Sequence, residues 1–198
     1  MKARKKLKIY VSAFSLIILF SLILSRSCFS LTALLAAALH ECGHILASRH
    51  CKIKLKQMKL GIFGASLVTE GTLCSYKSEI FLAAAGPLAN IFCFLLCSLV
   101  PQKSDILENF KIASLFLALL NLLPIKELDG GRIAYCTLAS LLSPRVALRV
   151  VEGLSFSIIF SLWALSIYLI LRLGASLSLF VFSCFLFCKI FLKSAYEN

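Results

Sequence analysis

The chain has no polar stretch long enough to build a soluble domain; the connections between its apolar runs are too short to hold a core of their own. Acidic residues are scarce, nine against 21 Lys and Arg, for a net charge of +12. Such a balance suits a nucleic-acid binder when the cations share one soluble face, but here they are distributed loop by loop, which argues against direct nucleic-acid binding. There is no Cys-x-x-Cys pair, and the cysteines number nine, an odd count scattered through apolar segments. That argues against a disulfide framework or a thiolate metal site and leaves the cysteines as small buried hydrophobes. No A-x-A site closes the first apolar run, which is also long for the core of a cleaved signal peptide, so the run reads as a retained span. Histidines number only three, so any pattern among them carries weight.

What the chain has in abundance is apolar surface: 60% of its 198 residues are hydrophobic and the mean hydropathy is +0.94. This composition predicts an all-α polytopic membrane protein. Runs of about spanning length occupy 9–25, 31–48, 80–100, 112–123 (continuing past an interruption to 142), 154–171 and 175–190. The expectation is six transmembrane helices in a single integral-membrane domain covering 1–198, with its core at 31–142. Placing the N-terminus inside puts Lys2 to Lys8, Arg49 to Lys59, Lys77, Arg145, Arg149, Lys189 and Lys193 on the cytoplasmic side, against Arg26, Lys103, Lys111 and Arg172 outside. The positive-inside rule therefore selects cytoplasmic N- and C-termini.

Within the second run stands LLAAALHECGHILA, residues 34–47. On a helix His40 and His44 are one turn apart and about 40° out of phase, so both imidazoles project toward a common point. Glu41 lies roughly 60° round from His44, able to touch a water on a metal without binding the metal, while Cys42 and Gly43 face away. This is H-E-x-x-H in metal-ligand geometry, and it predicts one zinc per chain. Zinc held by two imidazoles needs a third protein ligand and keeps the fourth position for water. NLLPIKELDGGRI, residues 121–133, gathers Lys126, Glu127, Asp129 and Arg132 at an interruption of the fourth run. Pro124 breaks the helix there, the Gly130-Gly131 pair permits close backbone approach, and irregular backbone at membrane depth survives only when buried in protein or lining a cavity. Asp129 is the first choice of third ligand, with Glu127 its rival.

His40-Glu41-Cys42-Gly43-His44, then Ala85-Gly86-Pro87-Leu88-Ala89-Asn90, then Asn121-x-x-Pro124-x-x-x-Leu128-Asp129-Gly130-Gly131 resemble the motif set of the site-2 proteases, the intramembrane zinc metallopeptidases. The resemblance covers about 31–142 and is closest to the branch typified by stage IV sporulation protein FB, without that branch's frequent cytoplasmic CBS domain. It implies Asp129 as the third zinc ligand, Glu41 as general base, and Asn121 as a residue that lines the site and holds substrate. The activity it implies is regulated intramembrane proteolysis by a zinc metalloendopeptidase of the bacterial cell membrane, in sporulation a forespore membrane. The implied partners are a membrane-embedded or membrane-tethered protein substrate, a pro-sigma factor first among them, and membrane proteins that inhibit the enzyme. Two other classes remain open: a catalytically silent zinc scaffold, against which an intact Glu41 argues, and a transporter using midplane charges, which leaves the H-E-x-x-H geometry unexplained.

Gly86 and Pro87 read as packing residues of a membrane helix, and Asn90 either lines the cavity or bonds between helices. Lys52, Lys54 and Lys56 alternate with Ile53 and Leu55 at the period of a half-buried strand, and 65–69 reads as a second short strand. Together they predict an interfacial or re-entrant β element after the second span, with an edge for pairing an extended substrate. His50, Trp163 and Tyr168 read as interfacial or packing residues. Reporter fusions or cysteine labelling should place 52–59 and the C-terminus in the cytoplasm and 102–109 outside; labelling of 52–59 from outside would reverse the topology.

Overall fold

The structure is a computed structural model and describes residues 8–11, 27–51, 55–61, 64–69, 75–101, 104–174 and 177–197. Its strands are β1 (Lys8–Val11), β2 (Leu55–Gly61) and β3 (Gly64–Thr69). Its helices are α1 (Cys28–His50), α2 (Tyr76–Ser98), α3 (Asp105–Asn121), α4 (Asp129–Leu141), α5 (Pro144–Leu173) and α6 (Ser178–Glu197). The chain divides into two compact units, Met1–Leu120 and Asn121–Asn198.

In the first unit α1 and α2 pack on stripes of small and polar residues. α1 buries Thr32, Ala36, His40, Gly43, His44, Ala47 and Ser48, a one-turn repeat down a single face. α2 answers with Leu82, Ala83, Gly86, Pro87 and Asn90. The large side chains point the other way: Leu35 and Leu46 on α1, and Phe81, Leu88 and Phe92 on α2, are about half exposed or more. This is the inverse of a water-soluble helix pair and suits lipid as the surrounding solvent, because small residues let membrane helices approach closely while bulky ones face the acyl chains. A Cβ on Gly43 would stand 2.5 Å from the carbonyl oxygen of Ala85 and 2.9 Å from the Ala89 Cβ. The absence of a side chain at Gly43 is thus a condition of the contact.

The three strands form one sheet in the order β1-β2-β3. β2 and β3 are antiparallel, with Leu60 opposite Ala65 and Gly61 opposite Gly64, and a register irregularity lies between Leu55 and Gln57. β1 lies parallel to β2, Lys8 opposite Gln57 and Val11 opposite Leu60. The first predicted span is corrected at its start: Ile9, Tyr10 and Val11 are strand rather than helix. They form a β-branched and aromatic run that suits a pleated surface, and β2 offers its backbone edge. The remainder of that run, 12–25, lies outside the described residues, as does 52–54 of the first predicted strand.

Three of the described helices, α1, α2 and α5, are long and apolar enough to cross a membrane. Among the described residues, three of the six expected spans are helices of this kind. The fourth run is two shorter helices, α3 of 17 residues and α4 of 13, separated by 122–128. Within α6, Leu179–Cys188 is a shorter apolar helix among the described residues.

In the second unit the paired glycines at the start of α4 receive the irregular segment. A Cβ on Gly130 would meet the backbone of Leu122 and Leu123, and one on Gly131 the backbone of Ile125 and, at 2.7 Å, the Lys126 nitrogen. The segment carries its own hydrogen bonds, Ile125 N–H to the Leu123 carbonyl (2.7 Å) and Leu128 N–H to that of Ile125 (2.8 Å). α5 supplies the rest: the Lys126 N–H donates to Ser155 Oγ (2.8 Å), and Lys126 Nζ pairs with Glu152 Oε1 (2.7 Å). α5 begins at a Ser143 cap with Pro144 in the first turn and ends at Gly174 in the left-handed region (φ 58°), the asymmetry expected of helix ends. Its aromatic side chains meet those of α6, Trp163 lying 6.1 Å from Phe180 and Phe156 6.4 Å from Phe187 between ring centroids. The eight described cysteines are all free thiols.

Ser155 is fully buried and also donates to the Val151 carbonyl. Ser155→Ala strips the Lys126 N–H of its acceptor, a loss of about 1–3 kcal/mol. Thermal unfolding in detergent should show a lowered midpoint, and an unchanged midpoint would remove this bond from the support of the 122–128 segment.

Candidate metal centre

The helical phase of α1 delivers what the spacing promised. His40 and His44 are both buried, 5% and 6% exposed, on the face turned to α2. Their Nε2 atoms are 3.2 Å apart and the rings meet edge to face with centroids at 4.8 Å. His44 Nδ1 lies 2.8 Å from the carbonyl oxygen of Leu82. A carbonyl only accepts, so Nδ1 carries the proton there and neutral His44 presents its lone pair at Nε2. On the other ring, His40 Nδ1 lies 3.2 Å from Asn90 Nδ2. Both Nε2 atoms thus converge, and both Nδ1 atoms are engaged by α2.

α2 also sets the floor of the site. A Cβ on Gly86 would collide with His44 Nε2 and stand 2.7 Å from both His40 Nε2 and His44 Cε1. Gly86 belongs to the site itself, and the packing role read from sequence understates it. The signal was present in the run Ala83-Ala84-Ala85-Gly86, whose small residues announce a helix face approached closely by another. The Leu82 carbonyl is a partner that sequence reasoning missed, because a backbone acceptor leaves no mark in the residue type.

Glu41 is half-buried on α1 beside the imidazole pair, while Cys42 is exposed and turned away from it. His50 stands exposed at the end of α1, its ring centroid 6.0 Å from that of Phe81, away from the paired imidazoles. In the second unit Asp129 is the first residue of α4, where the partial positive charge of a helix N-terminus favours a carboxylate. Glu127 lies in the preceding turn and Asn121 ends α3; all three are half-buried. Lys126 is drawn off to Glu152.

The Nε2 separation fits a tetrahedral metal. Two zinc–imidazole bonds of about 2.0–2.1 Å at a tetrahedral angle put the two nitrogens about 3.3 Å apart.

Helices long and apolar enough to cross a membrane, with two imidazoles set nitrogen to nitrogen on one of them, define a class: membrane proteins with a buried histidine pair that could hold a metal. Comparison with known proteins narrows that class. No family model matches the chain. It is 29% identical to stage IV sporulation protein FB of Bacillus subtilis over 142 residues, 68% of this chain and 49% of that protein. It is 28% identical to a zinc metalloprotease of Methanocaldococcus jannaschii over 160 residues, 74% of this chain and 45% of that protein. The chain spans about half the length of these curated relatives. Among solved structures its fold is similar to that of a site-2 protease from Methanocaldococcus jannaschii, with a TM-score of 0.64 and 19% identity over 94% of this chain and 91% of that one. The likeness to the site-2 proteases carried by the short motifs thus extends over most of the chain.

Gly86→Ala should therefore weaken metal binding at least about tenfold, the scale on which outer partners of a metal site act. Cys42→Ala, on the exposed side of the same motif, should leave binding unchanged. Metal titration of the purified proteins measures both, and equal affinities would mean that the floor is not where the structure puts it.

Proposed function

We propose that the chain is an intramembrane zinc metalloprotease that hydrolyses a peptide bond of a membrane-embedded or membrane-tethered protein. The observation that carries this reading is the pair of Nε2 atoms 3.2 Å apart, with His44 Nδ1–H committed to the Leu82 carbonyl. Asp129 is the proposed third ligand, the carboxylate that opens α4 at the position the site-2 protease motif gives to a ligand, with Glu127 in the preceding turn as its rival. Two imidazoles and one carboxylate leave a fourth position open, the donor set of a catalytic rather than a structural zinc.

A zinc held by these residues would supply a water made acidic enough to ionise near neutral pH and a Lewis acid for the scissile carbonyl. The residues of the chain do the rest. Glu41 accepts the proton that water gives up and returns it to the leaving amine. Asn121, with a donor and an acceptor on one side chain, suits holding a substrate backbone in place. A peptide bond inside a helix is shielded by its own hydrogen bonds, so substrate has to be extended before it is cut. β3, at the edge of the three-stranded sheet, is the proposed surface for that, through main-chain pairing. The two units work in this reading as one integral-membrane enzyme with cytoplasmic termini. On the resemblance to the sporulation branch, the proposed substrate is a membrane-tethered pro-sigma factor and the proposed location a bacterial, forespore membrane; a sporulation protein is among the relatives the chain matches.

The test is co-reconstitution with tethered candidate substrates, reading zinc content and cleavage together. His40→Ala and Asp129→Ala should lose both, and Glu127→Ala should keep both. Glu41→Gln should keep zinc while cleavage falls about 10²–10⁴-fold, the usual share of a general base. A Gln variant that cleaves normally would remove Glu41 from the mechanism, and zinc lost with Glu127 rather than Asp129 would reassign the ligand.

A further inference from the structure

We infer that Asn90 is the positioning residue of His40: its carboxamide oxygen accepts the His40 Nδ1 proton and so turns the Nε2 lone pair toward the metal. The inference rests on the zinc reading above and concerns the group that prepares the ligand.

Asn90 is fully buried, 0% exposed, on the face of α2 that meets α1. Its Nδ2 stands 3.2 Å from His40 Nδ1, and its Oδ1 has no hydrogen-bond partner among the described residues. A half-turn of the carboxamide exchanges these two atoms without moving anything else, so the geometry admits two proton arrangements. In the first, Asn90 Nδ2 donates to His40 Nδ1. His40 then carries its proton on Nε2 and donates it to His44 Nε2, since the only ring proton of neutral His44 is already given to the Leu82 carbonyl. That arrangement makes a hydrogen-bonded histidine pair and blocks His40 as a ligand. In the second, Oδ1 accepts from His40 Nδ1–H, and both Nε2 lone pairs face each other across 3.2 Å. Two lone pairs so placed repel unless a cation lies between them, which makes this the arrangement that zinc selects.

The two ligands are thus prepared by different means. His44 has its tautomer set by a backbone carbonyl, which offers no choice. His40 has its tautomer set by a side chain that can either donate or accept. A metal-ligating imidazole ordinarily gives its other N–H to a carboxylate or a carbonyl. A carboxamide performs that task in one of its two orientations only, so Asn90 ties its own orientation to metal occupancy.

The test uses full-length protein in detergent, labelled with ¹⁵N-histidine. With three histidines in the chain the spectrum is readable, and His44 serves as an internal control. Zinc is titrated into wild type, Asn90→Leu and Asn90→Asp. With zinc bound, wild type should show His40 protonated at Nδ1 and ligating through Nε2. Asn90→Leu should bind zinc about 10–100-fold more weakly and, before zinc is added, show His40 as a mixture of tautomers while His44 stays protonated at Nδ1. Asn90→Asp, an acceptor only, should bind zinc as tightly as wild type or more tightly. Equal affinity in wild type and Asn90→Leu, or His40 ligating through Nδ1, overturns the role of Asn90 and leaves the metal site standing. If Asn90→Leu loses the His44 signature and so fails to fold, Asn90→Asp decides: weaker binding than wild type means that the side chain acts as donor, and the inference fails. A wild type that binds no zinc overturns the metal reading itself, and this inference with it.

Discussion

The close approach of α1 and α2 is the contact on which the candidate metal centre depends. Two glycines on opposite helices make it possible: Gly43 lets the backbone of α2 come against α1, and Gly86 lets the imidazoles of α1 come against α2. Without that proximity His44 Nδ1 would not reach the Leu82 carbonyl, nor His40 Nδ1 the Asn90 carboxamide. Packing and chemistry are here the same contact. The stripe of small residues that lets two helices associate in lipid also brings the second helix near enough to hold the histidines in place.

The second unit solves a different problem with similar means. A segment without helical hydrogen bonds, 122–128, must be satisfied in an apolar surrounding. Gly130 and Gly131 allow it to fold back over the start of α4, and α5 supplies a hydroxyl and a carboxylate for the groups it leaves over. The outcome is Asp129 as the first residue of a helix that starts out of an irregular turn. A carboxylate carried there is presented by backbone geometry rather than by a long side chain, which limits how far it can stray.

The imidazole pair was legible in the sequence because helical periodicity is rigid: residues four apart on a helix share a face whatever surrounds them. The interruption marked by Pro124 and the paired glycines was legible because proline and glycine constrain the backbone directly. Of the two short strands read near 52–69, the second coincides with β3, while 52–54 of the first lies outside the described residues. What escaped was set by partners remote in the chain. Ile9, Tyr10 and Val11 read as the opening of an apolar span, and only the presence of β2 to pair with makes them strand. The apolar runs marked where helices lie, but hydropathy alone does not register where α3 ends and α4 begins. The Leu82 carbonyl, the Ser155 hydroxyl and the closeness of Gly86 to the imidazoles carry no signature in residue type at all.

The placement of Gly43 bears on how the H-E-x-x-H pattern should be used when other genomes are scanned. The pattern treats its two middle letters alike, but here they are opposites. Cys42 looks outward, whereas the next position has backbone packed against it at a distance no methyl group fits. In chains where a second helix crosses at the same height, a scan that admits only glycine in the fourth place would discard many accidental matches while keeping the chains able to bring that helix close. The most informative letter after the ligands is then one that contributes no chemistry, only the space for a neighbour.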